Sequence, residues 1–193
     1  DHWKIPHLDH KPLTDEECEQ ILALSPRVKE TFQRYHLQYH VMPDFYTQYP
    51  HHSMVGFHID EAVYAPLYYG YGGDDEYGDR RRLARNLEAH IMEVAPDTVL
   101  VQVKASPEVI ARRMKEKPHQ NGVLQEKDIT HVLQKFDEEY EASLISQKFT
   151  LDTTTATVEE TLAQFVEQME PLLTDTDRLR INSHRALQKS MSS

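Results

Sequence analysis

Thr98-Val99-Leu100-Val101-Gln102-Val103-Lys104, running into Ala105-Ser106-Pro107-Glu108-Val109-Ile110, is the stretch on which the reading of the fold turns. Its first seven residues are mostly β-branched and apolar, follow the turn-forming pair Pro96-Asp97, and predict a strand. Ser106 is a good N-cap and Pro107 suits the first helical position, so the chain passes directly into a helix carrying Val109, Ile110 and Met114. A strand feeding a helix is the unit of layered α/β folds. Downstream, a polar connection from Lys115 to Lys127 leads to a helical face of Ile129, Val132, Leu133, Phe136, Tyr140 and Leu144, then to a short strand at Phe149–Asp152. Thr157 with Glu160 forms a capping box that opens a helix bearing Leu162, Phe165, Val166, Met169 and Leu173. Beyond Thr174 the chain turns polar, and its last dozen residues read as a frayed tail.

Upstream, residues 1–12 contain Pro6 and Pro12 and show no periodicity. Thr14 and Glu17 make a capping box before Cys18, Ile21 and Leu22. Ser25-Pro26 starts a second helix whose Val28, Phe32, Tyr35 and Tyr39 share a face, and Pro43 stops it. Met54–Ile59 reads as a short buried strand, and Asp60–Tyr69 as a helix kinked or ended near Pro66 and closed by Gly70. Tyr71–Asp79 is loop, and Leu83, Leu87, Ile91 and Val94 mark a helix from Arg80. The expectation is one α/β domain over residues 1–173, a three-layer, mainly parallel sheet flanked by helices, with a polar tail at 174–193.

At 193 residues the chain can bury a core without staples. One cysteine, Cys18, makes no internal disulfide and fits a reducing, cytoplasmic setting as a small apolar residue. No apolar window is long enough to span a membrane, and no leader pattern opens the chain. The absence of an initiator Met suggests a processed or shortened start. A net charge of −11 argues against nucleic acid as a partner, since phosphate contacts need surplus Lys and Arg.

Chemistry is densest from Val55 to Gly70. A strand delivering polar residues onto a helix N-terminus is where open α/β sheets hold ligands, often anions. His58, Glu61 and Tyr64 lie at helical spacing there, with Tyr68 one turn on, and are expected to converge on one concave surface. The same carboxylates also suit a helix dipole, and the tyrosines suit packing. Arg81, Arg82 and Arg85 oppose Leu83 and Leu87 and form either a solvated face or a fork for phosphate or carboxylate. Asp74-Asp75-Glu76 stands ready to pair with them or hold Mg²⁺ weakly. Twelve histidines, eight of them before residue 60, raise a metal alternative, since His36 and His40 have chelating spacing near His51-His52 and His58.

As an ordered set, these segments resemble the thymidylate-kinase-like P-loop nucleoside and nucleotide kinases over about Met54 to Leu173. Phe57-His58 and Glu61-Ala62-Val63-Tyr64 resemble the acceptor motif. Ser106-Pro107-Glu108 resembles the helix start after the fourth strand, Arg112 and Arg113 the start of the lid, Gln125–Tyr140 the helix after it, and Leu151–Thr154 the last strand and adenine loop. The resemblance implies Glu61, Arg112 and Arg113 as catalytic, His58, Tyr64, Tyr68, Arg81 and Arg85 as acceptor-binding, and Thr153 and Thr154 as cofactor-binding. It implies ATP and Mg²⁺ as cofactors and a nucleoside- or nucleotide-like acceptor, with residues 112–127 as lid and a homodimer as one assembly. Of Arg112 and Arg113, one is expected to face phosphate and the other to pair with the acidic stretch Asp137-Glu138-Glu139. No G-x-x-x-x-G-K-[ST] loop is present, and Val55-Gly56 stands where the family has a carboxylate–Arg pair. The first strand and P-loop are thus missing from this fold expectation, and no phosphoryl transfer is expected of residues 1–193 alone. The alternatives are a non-catalytic ligand- or protein-binding module with a degenerate kinase-like fold and a His-rich, metal-dependent hydrolase.

Overall fold

A computed structural model describes residues 13–48, 52–119 and 122–191. The leading prolines, His51 and Asn121 lie outside them. The chain is α/β and mostly helical, with one small parallel sheet. Helices α1 (Asp15–Ala23), α2 (Pro26–His40), α3 (Pro43–Gln48), α4 (His58–Tyr64) and α5 (Arg80–Val94) precede strand β1 (Val99–Lys104). Helices α6 (Pro107–Glu116) and α7 (Ile129–Ala142) then lead to strand β2 (Gln147–Asp152), followed by α8 (Val158–Met169) and α9 (Asp175–Met191). The two strands pair in parallel from Val99 opposite Gln147 to Lys104 opposite Asp152, so α6 and α7 form the crossover. Among the described residues the sheet has these two strands, where the sequence suggested a broader three-layer one.

Local signals account for the boundaries. Both capping boxes form: Thr14 accepts from the Glu17 N–H and Thr157 from the Glu160 N–H. Ser106 caps α6 by accepting from the Val109 N–H. Asp79 caps α5 by accepting from the Arg82 N–H. The core joins Leu37 of α2 and Val41 at its C-cap, Phe57, and Leu87 and Ile91 of α5, with Met54 and Leu83 against it.

Three expectations are corrected. Met54–Ile59 is not a strand: Gly56 (φ 80°) and Phe57 (φ 71°) both take left-handed backbone, which breaks extension and starts α4 at His58. The helix after it does end near Pro66 and close at Gly70 as the sequence suggests: it runs to Tyr64, continues as one π-helical turn over Ala65–Tyr69, and meets Gly70 at φ 71°. The polar C-terminus is not frayed, for Thr174 accepts from the Asp177 N–H and opens α9. On α2, Val28, Phe32 and Tyr35 are exposed, while Glu30, Gln33 and Leu37 face inward. The reason for that inversion lies in the ion network around Arg80.

Candidate functional site

Helix α4 packs against α5 and α7, and its first turn carries the two residues that the sequence placed at the centre of a pocket. The structure sends them into two separate buried networks instead. Glu61 is 4% exposed and accepts from Arg80 Nε at 3.1 Å and from the Tyr71 hydroxyl at 3.2 Å. Arg80, 1% exposed, also donates through Nη1 to Glu30 Oε1 at 3.0 Å and through Nη2 to the Glu30 carbonyl oxygen at 3.1 Å. Its guanidinium lies over the Tyr71 ring at 4.9 Å. Arg34 reaches Glu30 from the part-exposed side, so two arginines balance two carboxylates. A buried guanidinium needs this pairing, and that need turns Glu30 inward and Phe32 and Tyr35 outward. The loop before α5 closes over it: a Cβ on Gly72, whose φ is +82°, would lie 2.4 Å from Arg80 Cγ.

The second network begins at His58, 6% exposed, whose Nε2 lies 2.9 Å from Glu88 Oε1. Glu88 also accepts from Ser143 Oγ at 2.7 Å and from the Leu144 N–H at 2.8 Å. Arg85 spans Glu88 and Glu139, at 3.1 and 3.2 Å, and Arg81 Nε meets Glu139 at 2.5 Å. Burial pushes the Glu88 carboxyl up, but hydrogen bonds from His58, Leu144 and Ser143 outweigh it and leave the pKa below the ordinary value. For Glu61 burial prevails: its pKa is raised despite Arg80 and Tyr71.

The remaining candidates are dispersed. Tyr64 is half-buried, with its ring centroid 5.5 Å from that of Phe136, and burial lifts its phenol to about 12. Tyr68 donates to Asp128 Oδ2 at 3.0 Å. His58, Glu61 and Tyr64 therefore do not share an open surface; two of them are enclosed and paired. The acidic loop pairs with the arginine face, Asp74 with Arg81 and Asp75 with Arg82.

At the carboxyl ends of the strands, the lid and loop residues behave differently from one another. Arg113 donates to Thr153 Oγ1 at 2.9 Å and to the Thr153 carbonyl oxygen at 2.7 Å, fastening α6 to the turn after β2. Thr154 Oγ1 accepts from the Ser106 N–H at 2.9 Å. Arg112 lies on a shallow groove with Lys115 and Glu126, and its nearest carboxylate is Glu116 at 3.8 Å. The expected pairing of Arg112 or Arg113 with Asp137-Glu138-Glu139 is replaced by local partners: Asp137 meets Lys104, Glu138 meets Lys135, and Glu139 meets Arg81 and Arg85.

The histidine alternative gains no support from the geometry. His40 Nδ1 lies 2.7 Å from the His36 carbonyl oxygen, and the two rings are 4.3 Å apart. Among the described residues no three His, Cys, Asp or Glu side chains form a metal-holding group. Cys18 is half-buried and free. No described helix is long and apolar enough to cross a membrane.

Sequence reasoning missed Arg80, Glu88, Glu30 and Glu139 as the carriers of these networks. A signal for Arg80 existed: stepping back from Ile91 through Leu87 and Ala84 along the buried face of α5 reaches it.

No family model matches the chain, and no curated protein or solved structure matches it.

One further residue of α4 has a measurable consequence. Burial, followed by the charge of Glu61, raises the Asp60 carboxyl from 3.8 to about 6. The folded state then holds more protons than the unfolded one across that window, so this group's contribution to stability falls as pH rises through it. Asp60→Asn is expected to stabilise the protein at pH 7.5 by on the order of 1–2 kcal/mol, allowing for water at its part-exposed carboxylate, and to change little below pH 4. Urea unfolding at both pH values checks this; an equal effect at both would show that Asp60 does not titrate as described.

Proposed function

We propose that the chain is a non-catalytic binding module with a kinase-like α/β fold. The observation that carries this reading is the condition of its acceptor-side residues. His58 Nε2, the Glu61 carboxylate and the Arg81 and Arg85 guanidiniums are engaged by Glu88, Arg80 and Glu139. A residue that must fork onto an acceptor's phosphate, or take a proton from its hydroxyl, needs open geometry within hydrogen-bond reach of it. Here those groups hold helices together.

A second reading, part of an ATP-dependent nucleoside or nucleotide kinase, is favoured by one contact. Arg113 and Thr153, a lid residue and an adenine-loop residue by resemblance, meet at the end of the sheet where α/β folds hold ligands. The sequence has no Gly-rich loop ending in Lys-Ser or Lys-Thr to cradle a triphosphate, and the described residues gather no carboxylate group for Mg²⁺. The residues present do not fit ATP–Mg²⁺.

Incubating residues 1–193 with ATP, Mg²⁺ and a panel of nucleosides and nucleoside monophosphates is expected to give no steady phosphoryl transfer. Saturable heat of nucleoside or nucleotide binding without turnover fits the binding module. Steady turnover by protein free of contaminating kinase would overturn it in favour of the second reading.

A further inference from the structure

Helix α8 meets the sheet through Phe165, whose ring centroid lies 6.1 Å from that of Phe149 on β2. Much of its apolar face points outward. Val158 is 80% exposed, Leu162 60% and Val166 56%. Leu162, Ala163, Val166 and Pro171 floor a groove of about 750 Å³, and Glu159, Glu167 and Glu170 border it. The surface is apolar with an acidic edge.

The complement to that surface lies on the next helix of the same chain. On α9, Leu179, Ser183, Ala186, Leu187 and Ser190 fall at helical spacing on one face, and Leu179 and Leu187 are 68% and 62% exposed. Arg180 and His184 flank that face on one side and Lys189 on the other, with Arg178 and Arg185 further round the helix. In a chain of net charge −11 this helix carries four Lys and Arg against Asp175 and Asp177. Its first turn already shows the match: Arg178 lines the end of the groove and pairs with Glu170. Beyond that pair α9 leaves the groove, and residues 182–190 are all exposed. The helix therefore does not cover its own chain's Glu159 and Glu167.

We infer that the occupant of the α8 groove is the α9 helix of a second copy of this chain, docked reciprocally. Such an exchange is self-complementary about a two-fold axis, so one patch on each copy closes the dimer. Leu179 and Leu187 of one copy lie along Leu162 and Val166 of the other, and Arg180 and Lys189 meet Glu159 and Glu167. A membrane surface is the poorer occupant. Two leucines bury little in lipid, and the glutamate border repels anionic headgroups.

Sedimentation equilibrium of the full chain over a micromolar concentration series is expected to give twice the 22.6 kDa monomer mass. Arg180→Glu/Lys189→Glu and, separately, Glu159→Lys/Glu167→Lys are each expected to give monomers, with far-UV circular dichroism and melting temperature close to those of the parent. Mixing the two variants should restore the dimer, because each then meets the opposite charge on both surfaces. A monomer at every concentration overturns the proposal. So does a dimer that persists in both charge variants and in Leu162→Glu, or a monomer that binds phosphatidylserine vesicles through α9.

Discussion

Arg80→Met is expected to destabilise the protein by about 3–5 kcal/mol, because it leaves two buried carboxylates facing each other with their shared cation gone. Arg80 is fully enclosed and uses Nε for Glu61, Nη1 for Glu30 and the Gly78 carbonyl oxygen, and Nη2 for the Glu30 carbonyl oxygen. Removing it strands all of these acceptors in a water-poor space. For a chain of this length each kcal/mol moves the melting temperature by roughly 2–4 °C, so a fall of about 6–20 °C is expected. Arg80→Lys should rescue little, since an ammonium cannot reproduce the planar fork. Arg80→Met combined with Glu30→Gln and Glu61→Gln should recover much of the loss by removing the charges that Arg80 neutralises. Differential scanning calorimetry separates these cases. A single Arg80→Met variant within 1 kcal/mol of the parent would sink the view that this network is a structural lock.

The second large effect is expected at Glu88. This carboxylate is fully buried and meets His58, Arg85, Ser143 and the Leu144 N–H, so it ties α4, α5 and the turn after α7 to one point. Glu88→Ala leaves a buried imidazole, a guanidinium and a backbone donor without their acceptor, at a cost of about 3 kcal/mol. The pH dependence identifies the cause. The folded pKa of Glu88 is depressed, so its stabilisation is present above the ordinary carboxylate pKa and is lost as pH falls through the folded value. Guanidinium unfolding from pH 7 downward should therefore show the difference between parent and Glu88→Ala narrowing in acid. A gap independent of pH would assign the loss to packing alone.

What the sequence made legible was written in neighbours. Thr14 with Glu17, Thr157 with Glu160, and Ser106 before Pro107 are cap signals complete within four residues, and each helix starts where they say. The β-branched run of β1 and the Leu87–Ile91 spacing of α5 were equally local. The strand expected at Met54–Ile59 failed because apolar composition does not reveal that Gly56 and Phe57 take positive φ. The candidate site was misread for a different reason. His58 and Glu61 were correctly seen as sharing the first turn of a helix, but their partners come from α5, far along the chain. Nothing within a turn of Glu61 says that Arg80 is inside, and nothing near Glu30 says that α2 buries its carboxylate rather than Phe32. The last turns of α9 look frayed in sequence because their few apolar residues bury no core within their own chain.

The parallel pairing of β1 with β2 also bears on how the protein is made. A ribosome delivers Val99–Lys104 well before Gln147–Asp152, and the whole α6–α7 crossover must emerge in between. α1 to α5 have all emerged by then and can collapse around Leu37, Leu87 and Ile91 from local contacts. β1, a β-branched apolar segment, waits without its strand partner through that interval. Between the exit of Lys104 and the exit of Asp152, synthesis therefore leaves an unpaired strand edge exposed to other chains.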